Sequence, residues 1–275
     1  MNNYQIIFVD IDDTLNVRNQ PITDKTKEVM KRIKEKNIPV VINTGRSMKY
    51  AIDRSITGNL GHYVISSNGS EVYDYKNNKL IFSSIIPKDI VKKIYEYCEN
   101  VQLTMTLNSY ENKFSNNKEN INEGDFTTYF DNIDEVLENN DITQIVLVSD
   151  NFDRMIVLPK LFQDKFPDIK FTYSSHELLE NKRVKGHSYT HNITMNHVSK
   201  GTGIVELLDY LKIPNDKAIA LGDDIVDLAM FDVVKTGIAV ADGVDVLKSR
   251  ASYICPSAKE NGVATILEKM ILKEE

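Results

Sequence analysis

The sequence contains only two cysteines, Cys98 and Cys255, and no excess of positive charge. Two cysteines without a metal-ligand spacing exclude a disulfide framework and a cysteine-rich zinc site. The net charge of −7 gives no broad electrostatic attraction to nucleic acid or to an anionic membrane surface. We therefore predict that the protein has no nucleic-acid partner and no membrane partner.

Long apolar runs are also missing. No run approaches the length of about 18 residues that suggests a membrane-spanning helix. The N-terminus shows no basic region followed by an apolar stretch, which is the pattern of a secretory signal. These absences favour a cytoplasmic protein. The length of 275 residues suits one large domain or two of ordinary size, and the apolar fraction of 41% is enough for a buried core.

What the chain does have is a buried-strand pattern that ends in two carboxylates. Residues 6–9 are all apolar, Asp10 and Asp12 follow them, and Thr14 lies just beyond. A continuous apolar run is typical of a parallel-sheet strand that is buried on both faces. Ligands bind at the carboxyl ends of such strands, and residues i and i+2 of an extended chain point the same way. We predict that both carboxylates face one cleft.

This pair of carboxylates suits phosphoryl transfer. One carboxylate can attack phosphorus, and the other can give a proton to the leaving oxygen and later take one from water. A hard cation such as Mg²⁺ would offset the phosphate charge. The alternative is a strand end with two solvated acids. A calcium loop fits badly, because Leu15 and Pro21 occupy the positions of its usual Gly and Glu.

Two further strand ends carry polar residues. Residues 39–42 predict a buried strand, which Asn43, Thr44, Gly45 and Arg46 follow. A hydroxyl, a glycine and an arginine at a strand end can bind phosphate. The alternative is a strand-to-helix turn with Thr44 as the helix N-cap, and this interpretation is favoured if the motif is taken alone.

The other strand end lies near the C-terminus. Residues 218–221 predict a buried strand that ends at Gly222 and Asp223, with Asp227 four residues after Asp223. These acids can complete a Mg²⁺ site, or they can serve as capping and dipole partners of a helix. Lys200 begins a predicted helix upstream of this strand.

The middle of the chain has a different pattern. Its predicted elements are helices at 88–99 and 153–165, strands at 101–107, 143–149, 169–173 and 188–194, and a polar, Asn-rich connection at 108–124. A basic run at 182–185 is compatible with an anionic substrate, although a solvated turn is the better interpretation. We predict an α/β fold with a doubly wound, mainly parallel sheet formed by residues 1–84 and 188–275. An α+β domain is inserted at 85–187.

The motifs occur in the order Asp-x-Asp-x-Thr, Thr-Gly-Arg, Lys-Gly and Gly-Asp-Asp-x-x-Asp. In this order the sequence resembles the haloacid dehalogenase-like phosphatases, and within them the Cof-type branch, over nearly the whole chain. Residues 251–254 and 261–263 are similar to the closing segments of that family. The resemblance implies a Rossmann-like core and an inserted cap domain that selects the substrate.

The resemblance also implies roles for the residues of the first motif. Asp10 would be the nucleophile that becomes phosphorylated. Asp12 would act as general acid and then as general base, and its backbone carbonyl would bind Mg²⁺. Thr14 would support the loop.

The other motifs supply the implied phosphate and metal ligands. Lys200 would neutralise Asp10 and a phosphate oxygen, which matters because clustered carboxylates repel one another. The implied catalytic residues are Asp10, Asp12, Thr44 and Lys200. The implied phosphate-binding residues are Thr44, Gly45, Arg46 and Lys200. The implied Mg²⁺ ligands are Asp10, Asp12, Asp223 and Asp227, the last of which would bind directly or through water.

Three positions depart from the family pattern. Val226 replaces the usual Asn before the last acid, and it cannot bond to water or to phosphate. Asn192 stands where the family often has Glu, and residues 240–242 read Val-Ala-Asp instead of the usual Met-Gly-Asn. These departures affect substrate choice or activity, but they leave the nucleophile, the acid/base, the lysine and the main metal ligands in place.

The resemblance implies a Mg²⁺-dependent phosphatase that acts on phosphomonoesters of small metabolites, such as a sugar phosphate, a nucleotide or a cofactor phosphate. Its partner would be that small phosphorylated metabolite, and the protein would be a monomer or a homodimer. Two alternatives stay open. One is a phosphotransferase or mutase that uses the same aspartyl-phosphate. The other is a non-catalytic sensor of phosphorylated metabolites, which Val226 suggests.

Overall fold

A computed structural model describes residues 4–121, 126–173 and 183–273. The backbone divides into two compact units, formed by residues 1–82 with 199–275 and by residues 83–198. The last three residues of the predicted connection 108–124, and the first residue of the basic run 182–185, lie outside the described residues.

The elements follow one another in an alternating order. The first unit begins with β1 Ile6–Val9, α1 Asp24–Glu35, β2 Val40–Asn43, α2 Met48–Thr57, β3 Tyr63–Ser66, β4 Glu71–Asp74 and β5 Lys79–Ser83. The second unit contains α3 Lys88–Asn100, β6 Thr104–Ser109, β7 Lys113–Ser115, β8 Thr127–Tyr129, α4 Ile133–Asn139, β9 Ile142–Ser149, α5 Phe152–Gln163, β10 Ile169–Tyr173 and β11 Tyr189–Met195. The chain returns to the first unit with α6 Lys200–Leu211, β12 Ala218–Gly222, α7 Leu228–Phe231, β13 Thr236–Val240, α8 Asp245–Arg250, β14 Tyr253–Cys255 and α9 Gly262–Leu267. In the described part of the chain, no helix is long and apolar enough to cross a membrane.

Eight strands form the sheet of the first unit, in the order β14-β13-β12-β1-β2-β3-β4-β5. The strands from β14 to β3 are parallel, and β4 runs antiparallel to β3. β1 is buried on both faces: Ile6 and Phe8 pack in one cluster with Ile204 and Leu207 of α6, while Ile7 points to the opposite face. The predicted α/β fold with a doubly wound, mainly parallel sheet is confirmed.

The second unit has a separate six-stranded sheet, in the order β10-β11-β9-β6-β7-β8. The strands from β10 to β7 in this order pair antiparallel, and β8 runs parallel to β7. One face is apolar and belongs to the core that α3, α4 and α5 complete, with strand residues such as Met105, Leu107, Ile145, Leu147 and Ile193. Because residues alternate between the faces, the other face carries amide and hydroxyl side chains. The inserted α+β unit matches the predicted architecture.

The boundaries of this unit differ from the prediction. The prediction placed the return to the first domain at residue 188. In the structure, however, β11 forms antiparallel ladders with both β9 and β10. A strand with two partners in one sheet is part of that sheet, so the return lies at residue 199. The first boundary lies after residue 82 instead of 84. The predicted strand 101–107 begins and ends later, as β6, and the predicted connection 108–124 contains β7.

Candidate active site

Three adjacent strands bring the predicted residues to one edge of the first unit's sheet. β1 lies between β12 and β2, and all three strands are parallel. Asp10 follows β1, Thr44 follows β2 and Asp223 follows β12. Because the carboxyl ends of parallel strands lie at the same edge, these three residues share one edge of the sheet.

The first turn of α6 is held in place from several sides. The Ser199 side chain accepts a hydrogen bond from the Thr202 amide, and the Thr202 hydroxyl accepts one from the Ser199 amide. Gly69 lies against the Ser199 carbonyl: its φ is +92°, and a Cβ there would be 1.9 Å from that oxygen. The Asn43 amide donates to the Lys200 carbonyl oxygen at 2.9 Å. These contacts fix the backbone from which the Lys200 side chain extends.

The ammonium of Lys200 lies between two carboxylates. Its Nζ donates to Oδ1 of Asp10 and to Oδ1 of Asp227, both at 2.6 Å, and its side chain is 3% exposed. Burial alone would lower the pKa of this ammonium, but the two carboxylates raise it above its ordinary value. Lys200 therefore places a permanent positive charge beside Asp10.

Both carboxylate oxygens of Asp227 accept hydrogen bonds. Its Oδ1 accepts from Lys200, and its Oδ2 accepts from the backbone amides of Asp223 and Asp224 at 2.9 and 3.0 Å. The two bonds to Oδ2 form at the short turn that contains Val226, and the apolar side chain of Val226 takes no part in them. Asp227 is thus placed to position Lys200 and the turn, which fits the outer-shell alternative for its role better than direct metal binding.

Three carboxylates lie near Lys200, and when ionised they carry more negative charge than one ammonium balances. Ligand atoms of Asp10, Asp223 and Asp227 all lie within 4.8 Å of one another. Burial raises the pKa of Asp10 to about 7, although Lys200 opposes the shift. Burial, with the charges of Asp10 and Asp227, raises the pKa of Asp223 to about 9, although the Thr14 hydroxyl donates to its Oδ1 at 2.6 Å. Carboxylate oxygens whose negative charge is not balanced are suitable ligands for a hard divalent cation such as Mg²⁺.

Asp12 forms an ion pair with Arg46, and the chain does not stay extended after β1. The chain turns sharply after β1, with Asp13 at a φ of 63° and the Leu15 amide donating to the Asp10 carbonyl. Arg46 then contacts both oxygens of Asp12: Nε donates to Oδ2 at 2.8 Å and Nη2 donates to Oδ1 at 3.0 Å. Burial would raise the pKa of Asp12, but the hydrogen bonds and charge of Arg46 hold it below its usual range.

The Thr-Gly-Arg loop is built around Thr44. The Thr44 hydroxyl accepts a hydrogen bond from the Arg46 amide at 3.2 Å. Gly45 gives space to the Asn68 amide, whose Oδ1 would lie 3.0 Å from a Cβ at this position. The N-cap position of α2 is Ser47, so the simple interpretation of Thr44 as that helix's N-cap is wrong.

The site also contains residues that the sequence did not single out. Asn43 is 0% exposed and supports the backbone of Lys200, and Asn68 packs on Gly45 from a turn with φ values of 50° and 57° at Ser67 and Asn68. An asparagine at the end of an otherwise apolar buried strand was the available signal for Asn43. The dipeptide of Asn68 and Gly69 is a general signal of a tight turn, and nothing in it indicates the contact of Asn68 with Gly45.

The chain matches the family of haloacid dehalogenase-like hydrolases over residues 7–267. It is 25% identical over 271 residues to the Bacillus subtilis 5-amino-6-(5-phospho-D-ribitylamino)uracil phosphatase YcsE, an alignment that covers 98% of this chain and 96% of that protein. A second Bacillus subtilis phosphatase of the same name, YitU, is 23% identical over 280 residues and covers 96% of both chains.

Solved structures share the fold. A haloacid dehalogenase-like hydrolase from Bacteroides thetaiotaomicron has a TM-score of 0.83 at 19% identity, covering 98% of this chain and 100% of that one. The subclass IIB sugar phosphatase BT4131 has a TM-score of 0.76 at 19% identity, covering 96% of this chain and 98% of that one. The fold of this chain is therefore shared by these solved structures over nearly its whole length.

Proposed function

The chain belongs to the haloacid dehalogenase-like hydrolases, and from this premise we propose that it hydrolyses phosphomonoesters of small metabolites through an aspartyl-phosphate. The observation that carries the proposal is the buried ammonium of Lys200, held at 2.6 Å from both Asp10 and Asp227. A phosphatase of this kind needs a nucleophilic carboxylate whose charge, together with that of the phosphate, is balanced by a fixed cation.

Asp10 is the proposed nucleophile. Its Oδ1 accepts from Lys200, so its Oδ2 is the oxygen that attacks phosphorus. As the bond from Oδ2 to phosphorus forms, the bond from phosphorus to the ester oxygen breaks, and the leaving oxygen takes a proton from Asp12. In the second half-reaction Asp12 takes a proton from water and the water oxygen attacks phosphorus. The bond between phosphorus and Oδ2 of Asp10 then breaks, which releases inorganic phosphate and regenerates the carboxylate.

Arg46 would change partners during this cycle. Its fork on Asp12 favours the ionised carboxylate, which is the form that acts as a base. The phosphate group of a substrate is a competing partner for the same guanidinium. In the first half-reaction Arg46 would serve as the predicted phosphate ligand while Asp12, relieved of the fork, holds the proton for the leaving oxygen. In the second half-reaction Arg46 would return to Asp12 and favour the ionised carboxylate that takes a proton from water.

A divalent cation, proposed to be Mg²⁺, would be held by Asp10 and Asp223, with the backbone carbonyl of Asp12 as a further ligand. It would supply positive charge that attracts the substrate phosphate and stabilises the negative charge that develops on it. Thr44, Gly45 and Lys200 bind the phosphoryl oxygens in this proposal, and Asp227 keeps Lys200 in place.

The second unit is proposed to act as the cap that selects the leaving group, so that the partner is a small phosphorylated metabolite. The predictions of a cytoplasmic location and of a monomer or homodimer stay predictions. Transfer of the phosphoryl group to an acceptor instead of water is the alternative on the same intermediate. The sensor alternative is less supported, because the hydrogen bonds of Asp227 with Lys200 and with two amides form without any contribution from Val226.

The test is phosphate release from phenyl phosphate, measured with Mg²⁺ and with a chelator, for the wild type and for Asp10→Asn. The proposal requires turnover by the wild type only when the cation is present, and none by the variant. A folded wild type that releases no phosphate from phenyl phosphate or from a panel of sugar and nucleotide phosphates would contradict it. Label transferred to an added sugar instead of water would identify a phosphotransferase.

A further inference from the structure

A buried carboxylate that the proposed mechanism does not use lies in the first unit, at the turn that follows β3. It belongs to Glu71, the first residue of β4, which is 0% exposed. Its Oε2 accepts two hydrogen bonds, from the Ser66 hydroxyl at 2.6 Å and from the Ser67 hydroxyl at 3.1 Å. Burying a carboxylate away from water is costly unless polar groups bond to it, and here two consecutive serines donate to the same oxygen.

Strand pairing places this carboxylate at the edge of the sheet that carries the candidate active site. β4 runs antiparallel to β3, and Glu71 is directly opposite Ser66, the last residue of β3. Because β3 is parallel to β2, its carboxyl end lies at the same edge as Thr44. Asp74, at the other end of β4, is paired with Tyr63 at the start of β3 and lies at the opposite edge. The two buried acids of β4 therefore lie at opposite edges of one sheet.

The turn that follows β3 has a backbone conformation that serine rarely adopts. Ser67 has a φ of 50° and Asn68 has a φ of 57°, so both residues lie in the left-handed region. Asparagine tolerates this region, whereas the Cβ of a serine crowds the neighbouring backbone there. The hydrogen bond from the Ser67 hydroxyl to Glu71 stabilises the residue in this conformation and offsets its steric cost.

The same turn supports the backbone of the Thr-Gly-Arg loop. The Ser67 amide donates to the Arg46 carbonyl at 2.9 Å, and the Asn68 amide donates to the Thr44 carbonyl at 3.1 Å. The next residue of the turn, Gly69, lies against the first turn of α6. A change in φ at Ser67 rotates the chain that follows it, so the Asn68 amide would leave the Thr44 carbonyl. The conformation of Ser67 therefore affects the position of the loop.

We propose that Glu71 is a positioning residue for phosphoryl transfer: it binds the Ser67 hydroxyl, keeps the turn in its left-handed conformation, and thereby holds the loop of Thr44 and Arg46 in place. This inference rests on the proposed phosphatase function, and it adds a residue that touches neither the substrate nor the cation. A small displacement of a loop that positions the reacting group lowers the rate although the protein still folds. The competing explanation is that Glu71 contributes only to the stability of the sheet.

The first test compares the two buried acids of β4. Glu71→Leu removes the carboxylate at the active-site edge, whereas Asp74→Leu, the control, removes a carboxylate that accepts from the amides of Lys76 and Asn77 in the turn at the opposite edge. Glu71→Gln is the conservative variant, because its amide oxygen can still accept from both hydroxyls. Each protein is assayed for kcat/KM on phenyl phosphate, for affinity for inorganic phosphate with Mg²⁺ by calorimetry, and for its unfolding temperature.

The proposal predicts different patterns for the two deletions, measured at a temperature where all the proteins are folded. Glu71→Leu should lose about tenfold in kcat/KM and in affinity for inorganic phosphate, and Glu71→Gln should stay within about threefold of the wild type. Asp74→Leu should lower the unfolding temperature and leave kcat/KM and phosphate affinity unchanged. Wild-type values in Glu71→Leu, or equal losses in Asp74→Leu, would assign Glu71 to stability alone and overturn the proposal.

A second pair of variants tests the conformation of the turn, and it does not depend on the folding of Glu71→Leu. Ser67→Ala removes the hydroxyl and keeps the Cβ, whereas Ser67→Gly removes both and adopts the left-handed region without a steric cost. Because the proposal needs the hydroxyl only to hold the conformation, Ser67→Ala should lose about fivefold in affinity for inorganic phosphate, and Ser67→Gly should retain most of it. Equal affinities of the two variants would contradict the proposal.

The position of the loop can also be tested without a substrate. Amide hydrogen exchange, followed by mass spectrometry, should be faster in peptides that cover residues 43–47 for Glu71→Leu and Ser67→Ala, but not for Asp74→Leu. Unchanged exchange in these peptides would overturn the proposal. If the wild type hydrolyses no phosphate ester but exchange and phosphate affinity change as predicted, the proposed function fails and the role of Glu71 does not. Turnover by the wild type with unchanged values in Glu71→Leu would leave only the phosphatase standing.

Discussion

Arg46 donates hydrogen bonds to both carboxylate oxygens of Asp12, at 2.8 and 3.0 Å, from the loop that follows the neighbouring strand β2. The two residues are 34 positions apart in sequence and meet because β1 and β2 are adjacent in a parallel sheet. The fork keeps Asp12 ionised, and the same guanidinium is the proposed ligand of the substrate phosphate. In the proposed mechanism, this arginine would link the arrival of substrate to the protonation of Asp12.

Replacing Arg46 by Leu should change the pH dependence of hydrolysis. Asp12 must be ionised to take a proton from water, and Arg46 holds its pKa below the usual range. Without Arg46 that pKa rises, so the acid limb of the pH–rate profile should move to higher pH, and turnover should fall by about 10²-fold. The measurement is kcat against pH for the wild type and the variant.

Arg54→Leu is the matched control for this experiment. Arg54 lies over the same Tyr50 ring as Arg46, at 5.1 and 5.2 Å from its centroid, and it makes no ion pair with Asp12 among the described residues. Its loss should leave the acid limb in place. An unmoved acid limb in Arg46→Leu, or an equal shift in both variants, would exclude the proposed effect of the fork.

Lys200→Met should abolish the balance of charge beside Asp10. The ammonium is buried and bonded to both Asp10 and Asp227, so a neutral side chain leaves two buried carboxylates without a counter-charge. We expect kcat to fall by about 10³-fold. Lys212→Met, at the exposed C-terminal end of the same helix, should retain full activity. Substantial turnover by Lys200→Met in a steady-state assay would refute the role given to this lysine.

Asn43→Ala should reduce both stability and turnover. The substitution removes the hydrogen bond at 2.9 Å from the Asn43 amide to the Lys200 carbonyl, which costs about 0.5–1.5 kcal/mol of unfolding free energy. The first turn of α6 would shift, and kcat should fall by about tenfold while KM changes little. Ser55→Ala, which removes a buried bond to the Gly61 carbonyl elsewhere in the unit, should lose stability only. Equal kcat values for the two variants would show that Asn43 does not position Lys200.

The metal-free protein should become less stable as the pH rises. The folded pKa values of Asp10 and Asp223 lie at about 7 and about 9, above the ordinary value of 3.8. The folded state therefore holds protons that the unfolded state has released, and this stabilisation is lost as the pH rises through the folded values. The measurement is the unfolding temperature between about pH 6 and about pH 9, with and without Mg²⁺.

Mg²⁺ should reverse this trend, because it binds the ionised carboxylates of the folded state. The increase in unfolding temperature caused by Mg²⁺ should therefore be larger at high pH than at low pH, and Asp223→Asn should abolish most of it. A Mg²⁺ effect of the same size in Asp223→Asn would place the cation elsewhere.

The sequence was informative where function depends on strand ends. A run of apolar residues leading into Asp10, Thr44 or Asp223 identifies both the strand and its carboxyl end, and parallel strands place those ends at one edge. The partner of Arg46 could not be predicted in this way. A long side chain in a charged site chooses between a carboxylate and a phosphate according to distances that only the folded loops define.

The position of β11 is a second feature that could not be predicted from the sequence. The alternation of its residues predicts a strand, but a strand of this kind can extend either of two sheets. Ladders with both β9 and β10 decide its place, and pairing over such sequence distances leaves no local signal. Long-range pairing likewise brings Asn108 of β6 opposite Gln144 of β9.

The central claim is that Asp10 becomes covalently phosphorylated. The most direct measurement is acid quenching of the enzyme during turnover of a phosphate-labelled substrate, followed by mapping of the labelled peptide. The account predicts label on the peptide that contains Asp10 in the wild type, and none in Asp10→Asn. An actively hydrolysing wild type that carries no label, or a label that persists in Asp10→Asn, would contradict it.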